Sequence, residues 1–328
     1  MVAFIFTSGC KESSKITDHP VTESIADPII DPDLESILIA YPHIPETSAI
    51  ITAGSIGTTV YALCRQRYKE QLAALKKEAN SLGAKLILAV LTPEIGEAVT
   101  VSTQKGVPFI MLAAASIGIK AYDISAQLAK YTSLQITQMP ADGHWSAAGA
   151  KIVADLFIPI IANNNGYKSS VTFPDSIRPA AFGDLEPGLN TALDGGKNIP
   201  YQLITNSQGL RMGYDLHFPK IKQRILLLGD SQIYSPFLDN SRIASELLQQ
   251  RFPDKEIINA GMLGYTIEDY LSLLTQKTKY AEPDIIILVT NPNDIGDMYF
   301  TQRNHMSRFK KAYKPTEAEK TLYHALFH

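Results

Sequence analysis

Two stretches of this chain hold side chains whose types and spacing suit acyl transfer: "ADGHWSAAGA" at 141–150 and "ILLLGDSQIY" at 225–234. A serine hydroxyl is a poor nucleophile until a base takes its proton, and a histidine held by a carboxylate is the usual base. Asp142 stands two residues before His144 in a stretch that runs into a helical pattern. At that spacing the carboxylate can reach one imidazole nitrogen, fix the tautomer and stabilise the imidazolium. Ser231 follows the apolar run "RILLLG" and precedes a second helical pattern. That is the carboxyl end of a buried strand, where open α/β sheets build their sites. Each stretch also has a plain reading, because Asp142 and the Asp230-Ser231 pair are both good helix caps.

Two further strand ends support the chemical reading. "INAGMLGYT" puts Gly264 just after one strand pattern, where a bare backbone N–H can approach a ligand, and "VTNPNDI" puts Asn293 just after the next. A nucleophile with N–H donors where the carbonyl oxygen becomes negative is what acyl transfer needs. Taken singly, Gly264 reads as a turn glycine and Asn293-Asp294 as an Asx turn. The order and spacing of the three favour a site. A competing serine lies in "SAIITAGSIGTTVYALC", where Ala53-x-Ser55-x-Gly57 is a variant of the nucleophile elbow. The first turn of a helix with small residues explains that segment better, and no other histidine stretch suits Ser55.

The blocks "LLLGDSQ", "NAGMLGYT", "NPND" and "DGHWSAAG" together resemble the SGNH/GDSL esterase superfamily, across most of residues 67–300. The resemblance implies Ser231 as nucleophile, His144 as base and Asp142 as its orienting acid. It also implies an oxyanion hole from the Ser231 amide, Gly264 and Asn293. Two departures stand out. The family usually spaces the acid three residues before the histidine, where this chain has Ala141. A common family glycine before the asparagine block is replaced by Asn291-Pro292. The alginate O-acetyltransferase branch is similar in carrying Asp-x-His upstream of its serine.

The elements that must position these residues can be read from periodicity. Segment 67–83 carries helical apolar spacing and ends on a glycine, and 84–93 is a continuous apolar run of buried-strand type. Helix 106–117 leads to a strand at "IKAYDIS", and helix 146–161 starts with Ser146 placed as its cap. "ANNNGYKSS" (162–170) is the clearest internal joint, and 171–220 reads as turns and short strands. Then come strand 224–228, helix 241–252, strand 256–260, helix 267–279 and strand 284–290. Strands alternating with helices predict a mainly parallel sheet covered on both faces. With the resemblance, the expected fold is a three-layer α/β/α sandwich of flavodoxin-like strand order with its motif order permuted.

In that arrangement residues 1–34 are an N-terminal segment or linker, and 35–328 form a single permuted domain. Its back half, 35–165, carries Asp-x-His and its front half, 166–328, carries GDS. The rival arrangement is two truncated domains in tandem. A faint echo between "MVAFIFTSGCKE" and "PDIIILVTNPND" points to some duplication.

Composition limits the remaining classes. Hydrophobic residues at 45% and charged residues at 19% are ordinary for a soluble domain, and a net charge of −3 gives no case for nucleic acid. Two cysteines, Cys10 and Cys64, are too few for a disulfide framework and lack metal-ligand spacing. No cofactor and no metal is expected. "MVAFIFTSGC" reads as a strand at Val2–Thr7 in preference to a lipoprotein signal, since it lacks a basic start and is short. Membrane association is expected only if Cys10 is a lipid anchor, which would also make the protein extracytoplasmic; localisation and oligomeric state stay open. The leading function is a serine esterase acting on small acetyl-type esters, acylated carbohydrate among them. Its rivals are a carbohydrate O-acetyltransferase with the same triad and a non-catalytic surface or carbohydrate-binding protein that keeps the fold.

Overall fold

The computed structural model describes residues 55–93, 101–193, 198–295 and 297. Its elements run α1 (Ser55–Ser81), β1 (Lys85–Val90), α2 (Val101–Ser116), β2 (Lys120–Asp123), α3 (Ser125–Leu128), α4 (Ser133–Ile136) and α5 (Ala147–Ala162). They continue with β3 (Asn190–Leu193), β4 (Tyr201–Ile204), β5 (Gln223–Leu228), α6 (Ser231–Tyr234), α7 (Ala244–Arg251), β6 (Lys255–Asn259), α8 (Ile267–Gln276) and β7 (Ile285–Thr290). The strand expected at Val2–Thr7, its echo of 283–294, the Cys10 question and the 1–34 segment all fall outside the described residues.

Five strands form one sheet in the order β2-β1-β7-β5-β6, and every pairing is parallel. Counted from β5 through β6, β7, β1 and β2, the spatial order is second, first, third, fourth, fifth. That is the flavodoxin-like order. Among the described residues the first strand in sequence, β1, thus takes the fourth place of that order. Strands from both sides of the Asn-rich joint share this sheet, with Ile287 of β7 in register with Ile87 of β1 and Leu227 of β5.

The sequence explains which strands lie inside. In β5 and β7, inside the sheet, every residue is buried, as the apolar runs Ile225–Leu228 and Ile285–Val289 require when helices cover both faces, and β6, "KEIIN", is equally buried although it lies at one edge. The edge strand β2, "KAYD", has no fully buried residue. Side chains alternate across the pleat into two cores. Leu86, Leu88, Leu226, Leu228, Ile286 and Leu288 meet apolar residues of α1, α2 and α8 on one face. Ile87, Ala89, Ile225, Leu227, Ile287 and Val289 meet α5 and α7 on the other. Among the described residues no helix is long and apolar enough to cross a membrane.

The joint is tied down by side chains at the amino ends of the strands. Gln223 Nε2 donates to the carbonyls of Asn164 (3.0 Å) and Tyr167 (2.8 Å), and Lys255 Nζ donates to Asn165 Oδ1 (2.7 Å). Asp284, fully buried, accepts from the Ser169 amide (2.7 Å), Lys220 Nζ (2.8 Å) and the Arg224 amide (2.8 Å). The region after the joint holds the small antiparallel pair β3–β4.

Several helices differ from the sequence reading at their ends. The helix expected at 67–83 begins at Ser55, so the elbow-like serine is the first residue of α1. The helix expected at 241–252 is broken, because Ile243 is extended (φ −79°, ψ 154°) between a 3₁₀ turn at Asn240–Arg242 and α7.

Because β7 is paired on both sides, the sheet should unfold as a unit. Leu288→Ala, at a fully buried position, is expected to cost about 2–5 kcal/mol. Trp145, the single tryptophan, reports on one face while far-UV circular dichroism reports on the whole chain. Both urea transitions should coincide and shift together; a shift confined to one signal would show two independent cores.

Candidate active site

All the strands of the sheet are parallel, so the segments after β5, β6 and β7 emerge at one edge. Ser231 opens α6 directly after β5, Gly264 lies in the turn after β6, and Asn293 follows β7. β5 and β7 are neighbours, and the helices that follow β5 and precede β7 lie on opposite faces. Ser231 and Asn293 therefore flank the point where the winding of the sheet reverses, the crevice in which open α/β sheets bind ligands.

The Asp-x-His loop reaches this edge from the other half of the chain. It is closed by its own backbone: the Gln138 amide donates to the His144 carbonyl (2.8 Å), and Thr137 pairs with Trp145. Gly149, in the first turn of α5, lets the helix press on this loop, since a Cβ there would sit 1.9 Å from the Ile136 carbonyl oxygen. Ser146 caps α5 as expected, accepting from the Gly149 amide at 3.2 Å. Within the loop, Asp142 Oδ1 accepts from the His144 backbone amide (2.8 Å) and contacts His144 Nδ1 (2.5 Å). One carboxylate oxygen thus fixes both main chain and ring, which is how a two-residue spacing suffices. Nδ1 being engaged, Nε2 is the nitrogen left for a substrate or serine proton.

Trp145 joins this loop to the serine turn. Its fully buried indole donates from Nε1 to the Gln232 carbonyl at 3.2 Å, one residue beyond Ser231. A positive charge on His144 would oppose the rise that burial gives the Asp230 carboxyl. Among the described residues no hydrogen bond links the Ser231 hydroxyl to His144. The Trp145 bond thus brings the Asp-x-His loop against the turn that carries Ser231.

Gly264 has φ +69°, a conformation that favours glycine, and open space where a Cβ would project. The Asn293 side-chain amide donates one N–H to Asp297 (2.9 Å). An oxyanion role would fall to its second N–H, since a carboxamide carries two.

Residues that the sequence reading left without a role complete the surroundings. Asp230 is more than a member of the GDS triplet. It is buried, caps α6 through the Gln232 amide (2.9 Å), and accepts from Asn291 Nδ2 (2.7 Å). Burial pushes its pKa up to about 6. Asp294, equally buried, is pushed well above the usual carboxylate range, by burial and then by the charge of Asp230. It accepts from Thr290 Oγ1 (2.6 Å) and Tyr270 (3.3 Å). After α6 the chain passes through two left-handed residues, Ser235 (φ 57°) and Phe237 (φ 63°), each costing on the order of 1–3 kcal/mol. Buried Arg211 holds this segment, donating to the carbonyls of Tyr234, Ser235 (2.9 Å) and Leu238 (2.5 Å). Phe237 in turn lies 6.1 Å, ring to ring, from His144 and 6.0 Å from Tyr201 of β4. Arg211 sits in the Gly-rich, Asn-rich 171–220 region, where no local pattern marks a buried cation. Cys64 is a free thiol in the core, its pKa pushed up to about 12 by burial.

No protein-family model matches this chain, and no curated protein matches it either. Among solved structures, the O-acetyltransferase domain of Pseudomonas putida AlgJ is similar at a TM-score of 0.46 and 15% identity, covering 72% of this chain and 84% of that one. The functional reading therefore rests on the residues and their geometry.

The buried carboxyls carry a pH signature. Asp230 is raised in the folded protein from 3.8 to about 6, so folding favours its protonated form. Its stabilising contribution is then full below about pH 4 and lost as pH rises through about 6. Urea midpoints of the wild type should fall across this window, and Asp230→Asn should fall less steeply. Asp294 acts in the same direction, so the midpoints of the variant should still fall as pH rises. Parallel slopes for the two proteins would mean that Asp230 does not titrate there.

Proposed function

We propose that this protein is a serine esterase that hydrolyses small acetyl-type esters, acylated carbohydrate among them, through an acyl-serine intermediate. The observation that supports it is the docking of the Asp142–His144 pair beside the Ser231 turn, through the Trp145 bond to Gln232, at the switch point of the sheet.

In this mechanism Ser231 Oγ attacks the ester carbonyl as His144 Nε2 takes its proton, and Asp142 stabilises the imidazolium. The negative oxygen is received by N–H groups of Ser231, Gly264 and Asn293. The alcohol leaves with the proton from His144, and water, activated by the same imidazole, releases the acid. No step needs a metal or cofactor. The order of the motifs, with Asp-x-His ahead of the serine, favours a second reading in which a sugar hydroxyl replaces water as acceptor.

p-Nitrophenyl acetate tests the reading. Ser231→Ala should abolish turnover while leaving the thermal midpoint nearly unchanged. His144→Ala should lower kcat by about a thousand-fold or more, and Asp142→Asn by less, since the base remains and only its support is lost. Ser55→Ala should stay within a few-fold of wild type. An added polyol that becomes acetylated faster than acetate is released would identify the transferase. Full activity in Ser231→Ala would overturn both readings and leave the non-catalytic alternative or a site elsewhere.

A further inference from the structure

Asn291 occupies the place where the resembled family commonly has a glycine, and its side chain is engaged at both ends. Nδ2 donates to Asp230 Oδ2 at 2.7 Å, and Oδ1 accepts from the Asn293 backbone amide at 2.9 Å. The orientation of the carboxamide is fixed by its partners, because a carboxylate requires a donor and an N–H requires an acceptor. Asp230 uses its other oxygen to accept from the Gln232 amide at 2.9 Å. Three hydrogen bonds therefore run from the first turn of α6 through Asp230 and Asn291 to the backbone of Asn293. They cross from the end of β5 to the end of β7 inside the protein, with Asp230 3% and Asn291 6% exposed.

We propose that Asn291 is a positioning residue, which through this carboxylate–carboxamide chain sets the Asn293 donor at a fixed place relative to the Ser231 nucleophile. The proposal rests on the acyl-transfer reading of the site. A glycine at 291 would leave the Asn293 amide without its acceptor and Asp230 without its carboxamide donor. In this protein the turn after β7 is thus held by a side chain. Since oxyanion donors act where charge develops in the transition state, a misplaced Asn293 should appear in kcat and hardly in KM.

The chemistry of the chain suggests an exchange experiment. Asp230→Asn sets two carboxamides against each other and breaks the middle bond, whereas Asn291→Asp makes a carboxyl pair that one shared proton can bridge. The double variant Asp230→Asn/Asn291→Asp restores all three bonds with donor and acceptor reversed in the middle one. With p-nitrophenyl acetate, Asp230→Asn should lose about ten- to a hundred-fold in kcat at little change in KM, Asn291→Asp should lose less, with a loss that deepens as pH rises and the shared proton leaves, and the double variant should return to within a few-fold of wild type. A simple loss of packing would not be repaired by a second substitution.

Hydrogen exchange at the Asn293 amide gives a readout independent of turnover. It should be slow in wild type, fast in Asn291→Ala and slow again in the double variant. Asp230→Asn with wild-type kcat, or a double variant no better than the worse single one, would overturn the proposal while the esterase reading stood. Wild type without turnover would overturn the esterase reading, and the positioning role with it. Fast exchange at Asn293 in folded wild type would show that the chain of bonds is not formed.

Discussion

The strand β7 is hydrogen-bonded in parallel to β1 on one side and to β5 on the other, and the rest of the structure follows from that placement. The two flanking strands belong to halves of the chain that meet only after the Asn-rich joint. Each half alone would expose a strand edge and an apolar face on each side of it, which is an unstable and adhesive arrangement. Placing β7, the last described strand in sequence, between them joins the two parts of the sheet. It also carries the segment after β5 and the segment after β7 to adjacent places at one edge. A site assembled from Ser231 and Asn293 needs that adjacency, and the loop holding His144 needs β1, β2 and α5 in position to reach it.

The chosen edge carries an unusual amount of buried polarity. Two carboxyls, Asp230 and Asp294, lie under the strand ends, and desolvation raises both. Burying such groups is costly unless every oxygen is met by a donor. Here Gln232, Asn291, Thr290 and Tyr270 supply those donors, so the polar cluster fixes the turns it touches. Arg211 performs the opposite operation next door, a buried cation satisfied by carbonyl oxygens in place of a carboxylate. Its lowered pKa has the same origin, loss of solvent around a charge. Between them these groups hold a short helix and two left-handed residues that the local sequence would not form alone.

Much of this was legible in the sequence. The continuous apolar run at 84–93 announced the buried parallel strand β1, and the alternation with helices announced the layered fold, because one pattern has period two or none and the other 3.6. The flavodoxin-like strand order expected with that fold is the order the sheet has. The Asp-x-His pair was legible because both partners lie in one short loop. What stayed hidden depends on contacts between residues far apart in sequence. Trp145 reads as an apolar residue until its N–H is seen on the Gln232 carbonyl, 87 positions away. Asn291 reads as a departure from a family pattern until its two partners are known. Helix ends were misplaced where tertiary contacts, as at Ile243, broke a continuous amphipathic pattern.

The central claim is that one half of the chain supplies the base that activates a serine held by the other half. Covalent trapping tests it most directly. Wild-type protein treated with a fluorophosphonate and digested should carry a single adduct on the peptide containing Ser231. His144→Ala should be labelled far more slowly, because the hydroxyl then lacks a proton acceptor. An adduct at Ser55, or labelling of Ser231 that does not depend on His144, would contradict the account.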